Sequence, residues 1–285
     1  MNSQNHVGVI GPGRIGQALG RLLAQADVPI EWVAARRLDA ARKAARFIGA
    51  GRPVTFASPE MASANVLLLT TSDSALPEVA QNLAARRTDW KGAVVLHTSG
   101  AWPAGGSHSV LQPLRRRGAF AASMHPLQTV PSREAGAHNL IKCWWAVEGD
   151  RPALQIARRW IRALDGHAFT IPPNRKGAYH AAAVLACAGV VTLMESSCQL
   201  LEQCGVDPPQ ARNMLKDFVS ETAKSFAALG AQGALTGPAV RGDWTTVQKH
   251  AAVLKREAPH LVPLYRELLH VMLRLTGERL PAETL

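Results

Sequence analysis

The stretch HVGVIGPGRIGQALG, His6–Gly20, decides the fold. It opens on an apolar run of strand length. It ends in a helical pattern that places Ile15, Ala18, Leu19, Leu22 and Leu23 on one face. Between the two lies Gly11-Pro12-Gly13-Arg14-Ile15-Gly16, a G-x-G-x-x-G. The spacing alone is weak evidence, but a strand before it and an amphipathic helix after it give it meaning. Gly11 permits the tight turn, Gly13 lets a pyrophosphate approach the backbone, and Gly16 lets helix and strand pack closely. Amide N–H groups at the helix start then face the phosphates. Gly11 to Gly16 are therefore expected to bind a dinucleotide.

Working outward, strand and helix patterns alternate. Ile30–Ala35 reads as a strand, Leu38–Ile48 as a helix and Val54–Phe56 as a short strand. Asn65–Thr70 (NVLLLT) is continuously apolar, as expected of a parallel strand covered on both faces. Ser74–Arg87 reads as a helix capped by Asp73 or Ser74, and Ala93–His97 as another buried strand. Gly118–Ser123, Cys143–Val147 and Phe169–Ile171 complete the strands, with a helix over Arg151–Leu164. The alternation predicts an α/β fold, a doubly wound parallel Rossmann sheet over residues 1–171. After Pro172-Pro173 the pattern is helical, over 175–204, 208–229, 243–257 and 259–276, so an all-α domain is expected over 172–285. Ala181–Met194 is the most apolar segment and reads as a buried helix.

The end of the second strand speaks to which dinucleotide binds. An NAD site places Asp or Glu there for the ribose 2′-hydroxyl. Here the sequence is Ala34-Ala35-Arg36-Arg37, with no acid before Asp39. Paired guanidinium groups suit a 2′-phosphate, so NADP(H) is the expected cofactor, held in part by Arg36 and Arg37. Thr70, Thr71 and Ser72 follow one strand; Thr98 and Ser99 follow the next. Ligands bind at such strand ends, so these residues are expected to line the cleft near the nicotinamide, or else to serve as caps and turn residues.

Composition narrows the classes. Of 285 residues, 47% are hydrophobic and 19% charged, which is globular rather than disordered. No uninterrupted apolar run reaches the roughly 18 residues of a membrane span. Met1–His6 is short and polar, without the basic-then-apolar pattern of a secretory signal. A cytoplasmic protein without membrane attachment is expected. Cys143, Cys187, Cys198 and Cys204 form no Cys-x-x-Cys pair and no zinc spacing, so reduced thiols and no metal are expected. The net charge of +11 comes from scattered arginines, without a recognition helix or aromatic RNA platform. It reads as a basic surface that attracts anionic metabolites rather than nucleic acid.

Several later segments carry a family resemblance: HTSGA at 97–101, His125-Pro126, Lys176-Gly-Ala-Tyr179-His180, and Leu235-Thr-Gly-Pro-Ala-Val-Arg241-Gly-Asp243, followed by His250 and Tyr265. With GPGRIG, the chain resembles bacterial proteins that join a Rossmann-like NADP-binding domain to a conserved C-terminal domain of unknown function. That group is related to pyrroline-5-carboxylate reductase and to the 6-phosphogluconate and β-hydroxyacid dehydrogenases. The family often carries an Asn six or seven residues after the Tyr-His pair; this chain reads Leu185-Ala186-Cys187-Ala188-Gly189.

The resemblance implies an NADPH-dependent oxidoreductase acting on a small substrate, and a homodimer paired through the helical domain. It suggests Lys176 as proton donor and His180, on the same helix face, as substrate anchor. Tyr179 is able to exchange roles with Lys176. His125, held extended by Pro126, is a further site candidate. Arg241 is expected to clamp an anionic group of the substrate and Asp243 to assist it, or to cap the next helix. The expected substrate is a small anionic carbonyl, imine or hydroxy compound. The alternative is a sensor or regulator that binds NADPH without turnover.

Overall fold

A computed structural model of the chain describes residues 6–277. The expected absence of a signal thus rests largely on residues 1–5, outside the described residues.

The described residues form two units by backbone packing, one running to Leu185 and one from Ala186. The first holds an eight-stranded sheet in the order β3-β2-β1-β4-β5-β6-β7-β8. Its strands are β1 (Val7–Ile10), β2 (Ile30–Ala35), β3 (Arg52–Thr55), β4 (Val66–Leu69), β5 (Val94–His97), β6 (Phe120–Pro126), β7 (Trp144–Gly149) and β8 (His167–Thr170). Side chains of consecutive residues alternate between two cores. Val9, Leu68, Leu96 and Met124 face α1 (Arg14–Gln25) and α2 (Leu38–Ile48). Ile10, Leu67, Leu69 and Val95 face α3 (Leu76–Ala85) and α4 (Gln112–Arg115). Helices on both faces make the sheet doubly wound, as the alternating pattern implies.

One departure concerns direction. β7 runs antiparallel to β6, with Ser123 opposite Glu148, and β8 is parallel to β7. The β6–β7 connection contains α5 (Arg133–Asn139), which packs on α1 instead of crossing the sheet. The chain therefore re-enters beside the end at which β6 left, and the pair forms as a hairpin does. A crossover helix follows only afterwards, as α6 (Arg151–Ala163).

The third strand and the β6 to β8 boundaries shift by a few residues from expectation. Neither Asp73 nor Ser74 caps α3, whose first turn is entered through Ala75 with no side-chain cap. The Ala75 and Leu76 N–H groups donate to the Ser72 carbonyl instead.

Beyond the sheet, α7 (Lys176–Val184) passes through a π-helical turn, Leu185–Gly189, into α8 (Val190–Gln203). The unit break coincides with that wide turn. The expected division at residue 172 would place α7 in the helical unit. Its side chains instead bond to β6 and β7, which holds it with the sheet. The second unit continues with α9 (Pro208–Ala234, bent at Gly230), α10 (Trp244–Glu257) and α11 (Val262–Thr276). Ala239, Val247 and Leu269 form its small core.

The expectation of a buried apolar helix fails. Pro173–Gln203 is long and apolar enough to span a membrane, with an 18-residue stretch of mean hydropathy 1.7, yet only 6% of that stretch is buried. Val191, Phe218, Phe226 and Leu229 likewise stand more than 60% exposed. Hydropathy reports that a face needs covering; here the chain's own folded residues leave it open.

Candidate functional site

The G-x-G-x-x-G corner opens a cleft of about 930 Å³. Gly11 sits at φ +69°, where a side chain is strained. A Cβ on Gly16 would lie 2.1 Å from Thr70 Oγ1, so this glycine is the contact at which α1 meets β4. Gly13 differs: a Cβ there would meet nothing closer than 4.0 Å. The space above it belongs to the cleft, which Gly11, Pro12 and Gly13 line. No side chain caps α1, and no acid stands in its first turn, so its N-terminal amides retain their attraction for an anion.

Thr70, Thr71 and Ser72 also line the cleft. Thr70 Oγ1 lies 3.2 Å from the Ile10 carbonyl and 3.0 Å from that of Gly11 and donates to them, tying the corner to β4. Arg14 and Ile15 are not cleft residues: Arg14 donates to the Pro131 carbonyl at 3.0 Å and Ile15 is half-buried on α1. Thr98 and Ser99 are buried away from the cleft. Ser99 Oγ accepts from the Ala101 and Trp102 N–H groups, the turn role.

Arg36 lines the cleft, but Arg37 does not. Its guanidinium pairs with Asp39 at 2.9 Å, two residues on, and this contact draws the Asp39 carboxyl below its ordinary range. The second cation in the cleft is Lys43, on the α2 face that also presents Ala40. Arg133 lines it too, bonded to Gln17 at 3.0 Å. Lys43 was legible as a residue three positions after Ala40; Arg133 was not, because only the α5–α1 packing brings it near. The open space over Gly13, the uncapped amides and three cations in one cleft, Arg36, Lys43 and Arg133, fit a phosphorylated dinucleotide.

A second group lies further along the sheet. His97, Ser123 and Glu148 are in register on adjacent strands and share one face. Lys176, at the start of α7, reaches down to them. It is 1% exposed, with Nζ bonded to Ser123 Oγ and 3.5 Å from Glu148 Oε1. Burial lowers the Lys176 ammonium to about 8, against the opposing pull of Glu148. One helical turn on, Tyr179 and His180 are half-buried, not enclosed. Tyr179 Oη is 2.7 Å from His125 Nδ1, and the His125 and His180 rings meet edge to face at 5.7 Å between centroids. Gly100 lies against both: a Cβ there would stand 2.8 Å from His125 Nε2 and 2.4 Å from His180 Cδ2. The structure thus gathers Lys176, Tyr179, His180 and His125, with the lysine buried and the tyrosine and histidines half-buried. Ser123 and Glu148 were missed because strand register, not local pattern, makes them neighbours.

Burial, Lys176 and His180 hold His125 down to about 3, and burial, Lys176 and His125 hold His97 well below the usual histidine range. Both rings are neutral at pH 7. The unfolded chain would take up their protons near pH 6.5, so between that value and about 3 it binds more protons than the fold. Stability must therefore fall as pH falls through this window. Thermal unfolding should show a Tm that declines below about pH 6.5, with a shallower decline in His125→Gln. A Tm independent of pH, or an unchanged slope in the variant, would contradict this.

In the second unit, Asp243 caps α10, accepting from Thr246 N at 3.1 Å and from Thr246 Oγ1 at 2.7 Å. Its carboxylate is thus engaged as a cap. Arg241 is exposed on the preceding loop. His250 and Tyr265 are bonded at 2.9 Å between α10 and α11. The four cysteines are free thiols, and no cluster of His, Cys, Asp or Glu suited to a metal occurs among the described residues.

Residues 1–126 match a Rossmann-like domain, and residues 143–271 match a domain of unknown function, DUF2520. A crystal structure from Bacteroides fragilis, described provisionally as an NADP oxidoreductase, shares 20% identity over 94% of this chain and 98% of its own, with a TM-score of 0.74. A Thermotoga maritima protein shares 23% identity over 95% and 98%, with a TM-score of 0.70. Pyrroline-5-carboxylate reductase from Coxiella burnetii shares 14% identity over 96% and 98%, with a TM-score of 0.59. No curated protein matches by sequence. At these identities the likeness is one of fold. By sequence, residues 1–126 are thus similar to Rossmann-like domains and residues 143–271 to the DUF2520 domain.

Proposed function

We propose that this chain is an NADPH-dependent oxidoreductase that reduces or oxidises a small anionic carbonyl, imine or hydroxy compound. The carrying observation is the cleft in which uncapped α1 amides and the open space over Gly13 share a lining with Arg36 and Lys43. Solved structures of like fold from Bacteroides fragilis and Coxiella burnetii carry oxidoreductase descriptions, which supports the reading. Gly11–Gly13 and the α1 amides would hold the pyrophosphate, and Arg36 and Lys43 the 2′-phosphate. When bound, NADPH supplies the hydride.

The chain's own residues must then move one proton at the substrate heteroatom. Tyr179 is the reachable donor. His125, neutral at pH 7, steadies it: with its proton on Nδ1 it donates to Tyr179 Oη and leaves the phenol O–H to face the substrate. His180 flanks the same opening. Lys176, enclosed behind them, contributes its charge rather than its proton. This is the exchange of lysine and tyrosine roles that the sequence reading left open.

The test is NADPH consumption with a panel of oxo acids and cyclic imines, and NADP+ reduction with a panel of hydroxy acids. Turnover of at least one class is expected. Tight NADPH binding with no turnover across the panel would favour the sensor reading. We read the exposed apolar helices of the second unit as the face a second copy covers. Sedimentation in detergent-free buffer should give a dimer, and a monodisperse monomer would refute that.

A further inference from the structure

The sheet contributes a carboxylate that the proton-transfer scheme leaves without a part. Glu148 is 1% exposed, yet each of its oxygens is engaged. Oε1 accepts from Ala104 N at 2.7 Å and Oε2 from Gly105 N at 2.8 Å, while Oε1 also stands 3.5 Å from Lys176 Nζ. Two backbone N–H donors and one ammonium thus converge on a single buried carboxylate. A buried ammonium persists only when paired and hydrogen-bonded. Gly105 makes the approach possible, since a Cβ there would lie 3.1 Å from Glu148 Oε2. The loop so anchored is the one whose Gly100 touches His125 and His180.

We propose that Glu148 is a positioning residue that acts through Lys176, fixing the ammonium against Ser123 on the sheet and, by the same carboxylate, fixing the Gly100–Gly105 loop against His125 and His180. The oxidoreductase reading supplies the purpose of this arrangement, but its geometry stands without that reading. The groups that interact with the ammonium are Glu148 on β7, Ser123 and His125 on β6, His97 on β5 and Asp73 after β4. Glu148 and Asp73 favour the charged form. The held charge in turn disfavours a second cation at His125, which keeps that ring neutral as the hydrogen-bond partner of Tyr179.

The test titrates Lys176 in the full-length protein by carbon-13 NMR of labelled lysine side chains, assigned with Lys176→Met. The wild-type midpoint is expected near 8. Glu148→Gln should lower it by at least about one pH unit, a tenfold shift, whereas the charge-keeping Glu148→Asp should stay within about half a unit. An unchanged midpoint in Glu148→Gln overturns the proposal. Should that variant not fold, the double variant Glu148→Gln/Lys176→Met decides. If the fault is an unpaired ammonium, the double variant folds; if it also fails, Glu148 acts on the loop alone and the proposal is wrong. NADPH titration of the wild type by fluorescence keeps the two readings apart. No binding with a shifted midpoint removes the proposed function and leaves the positioning role; binding with an unshifted midpoint does the reverse.

Discussion

Gly13→Val is expected to weaken NADPH binding by at least about a hundredfold, roughly 2.8 kcal/mol, while leaving the fold intact. The two halves of that expectation have separate grounds. Gly13 has φ −70° and ψ −161°, a backbone conformation open to a β-branched residue. The nearest atoms to its added Cβ are 4.0 Å away, so the folded chain accommodates the side chain. What the valine occupies is the space over the α1 amides that a pyrophosphate needs. Gly16→Ala is the instructive contrast. Its Cβ would strike Thr70, so it should lower stability by about 1–3 kcal/mol. Calorimetric titration with NADPH and thermal unfolding on both variants separate the effects. Unchanged affinity in Gly13→Val would mean the cleft does not hold the dinucleotide there.

Tyr179→Phe is expected to cut kcat by about 10²–10⁴-fold, the usual weight of a positioned acid–base group. The phenol is the half-buried donor of the cluster, and its partner His125 is held neutral. Burial pushes Tyr179 itself up to about 12, so at neutral pH it carries a proton to give. Tyr179 lies outside the residues that line the dinucleotide cleft, so NADPH affinity should be unchanged. Lost hydrogen bonding to His125 should cost no more than about 0.5–1.5 kcal/mol of stability. Single-turnover kinetics on any substrate found active provide the check. A variant with undiminished kcat would return the donor's part to Lys176 or His180.

The glycine corner and the apolar runs made the first half of the fold legible, because each is a local pattern with a local physical cause. Direction of β7 was not legible: it depends on α5 docking against α1, and nothing within Trp144–Gly149 records that. The same gap hid Glu148, a single acid at the end of an apolar strand until the antiparallel register sets it beside Ser123. Arg37 shows the opposite case. Asp39 was visible two residues on, and that short-range pair takes Arg37 out of the cleft and leaves the second cationic position to Lys43. Lys176, Tyr179 and His180 could be placed on one helix start from spacing, but which of them is enclosed depended on how far α7 presses onto the sheet.

Calorimetric titration of the purified chain with NADPH, and separately with NADH, bears most directly on the central claim. Saturable binding at one site per chain is expected, with NADPH tighter by at least about tenfold, or 1.4 kcal/mol, and with that preference lost in Arg36→Ala/Lys43→Ala. Absence of saturable binding for both dinucleotides, or a preference for NADH, would contradict it.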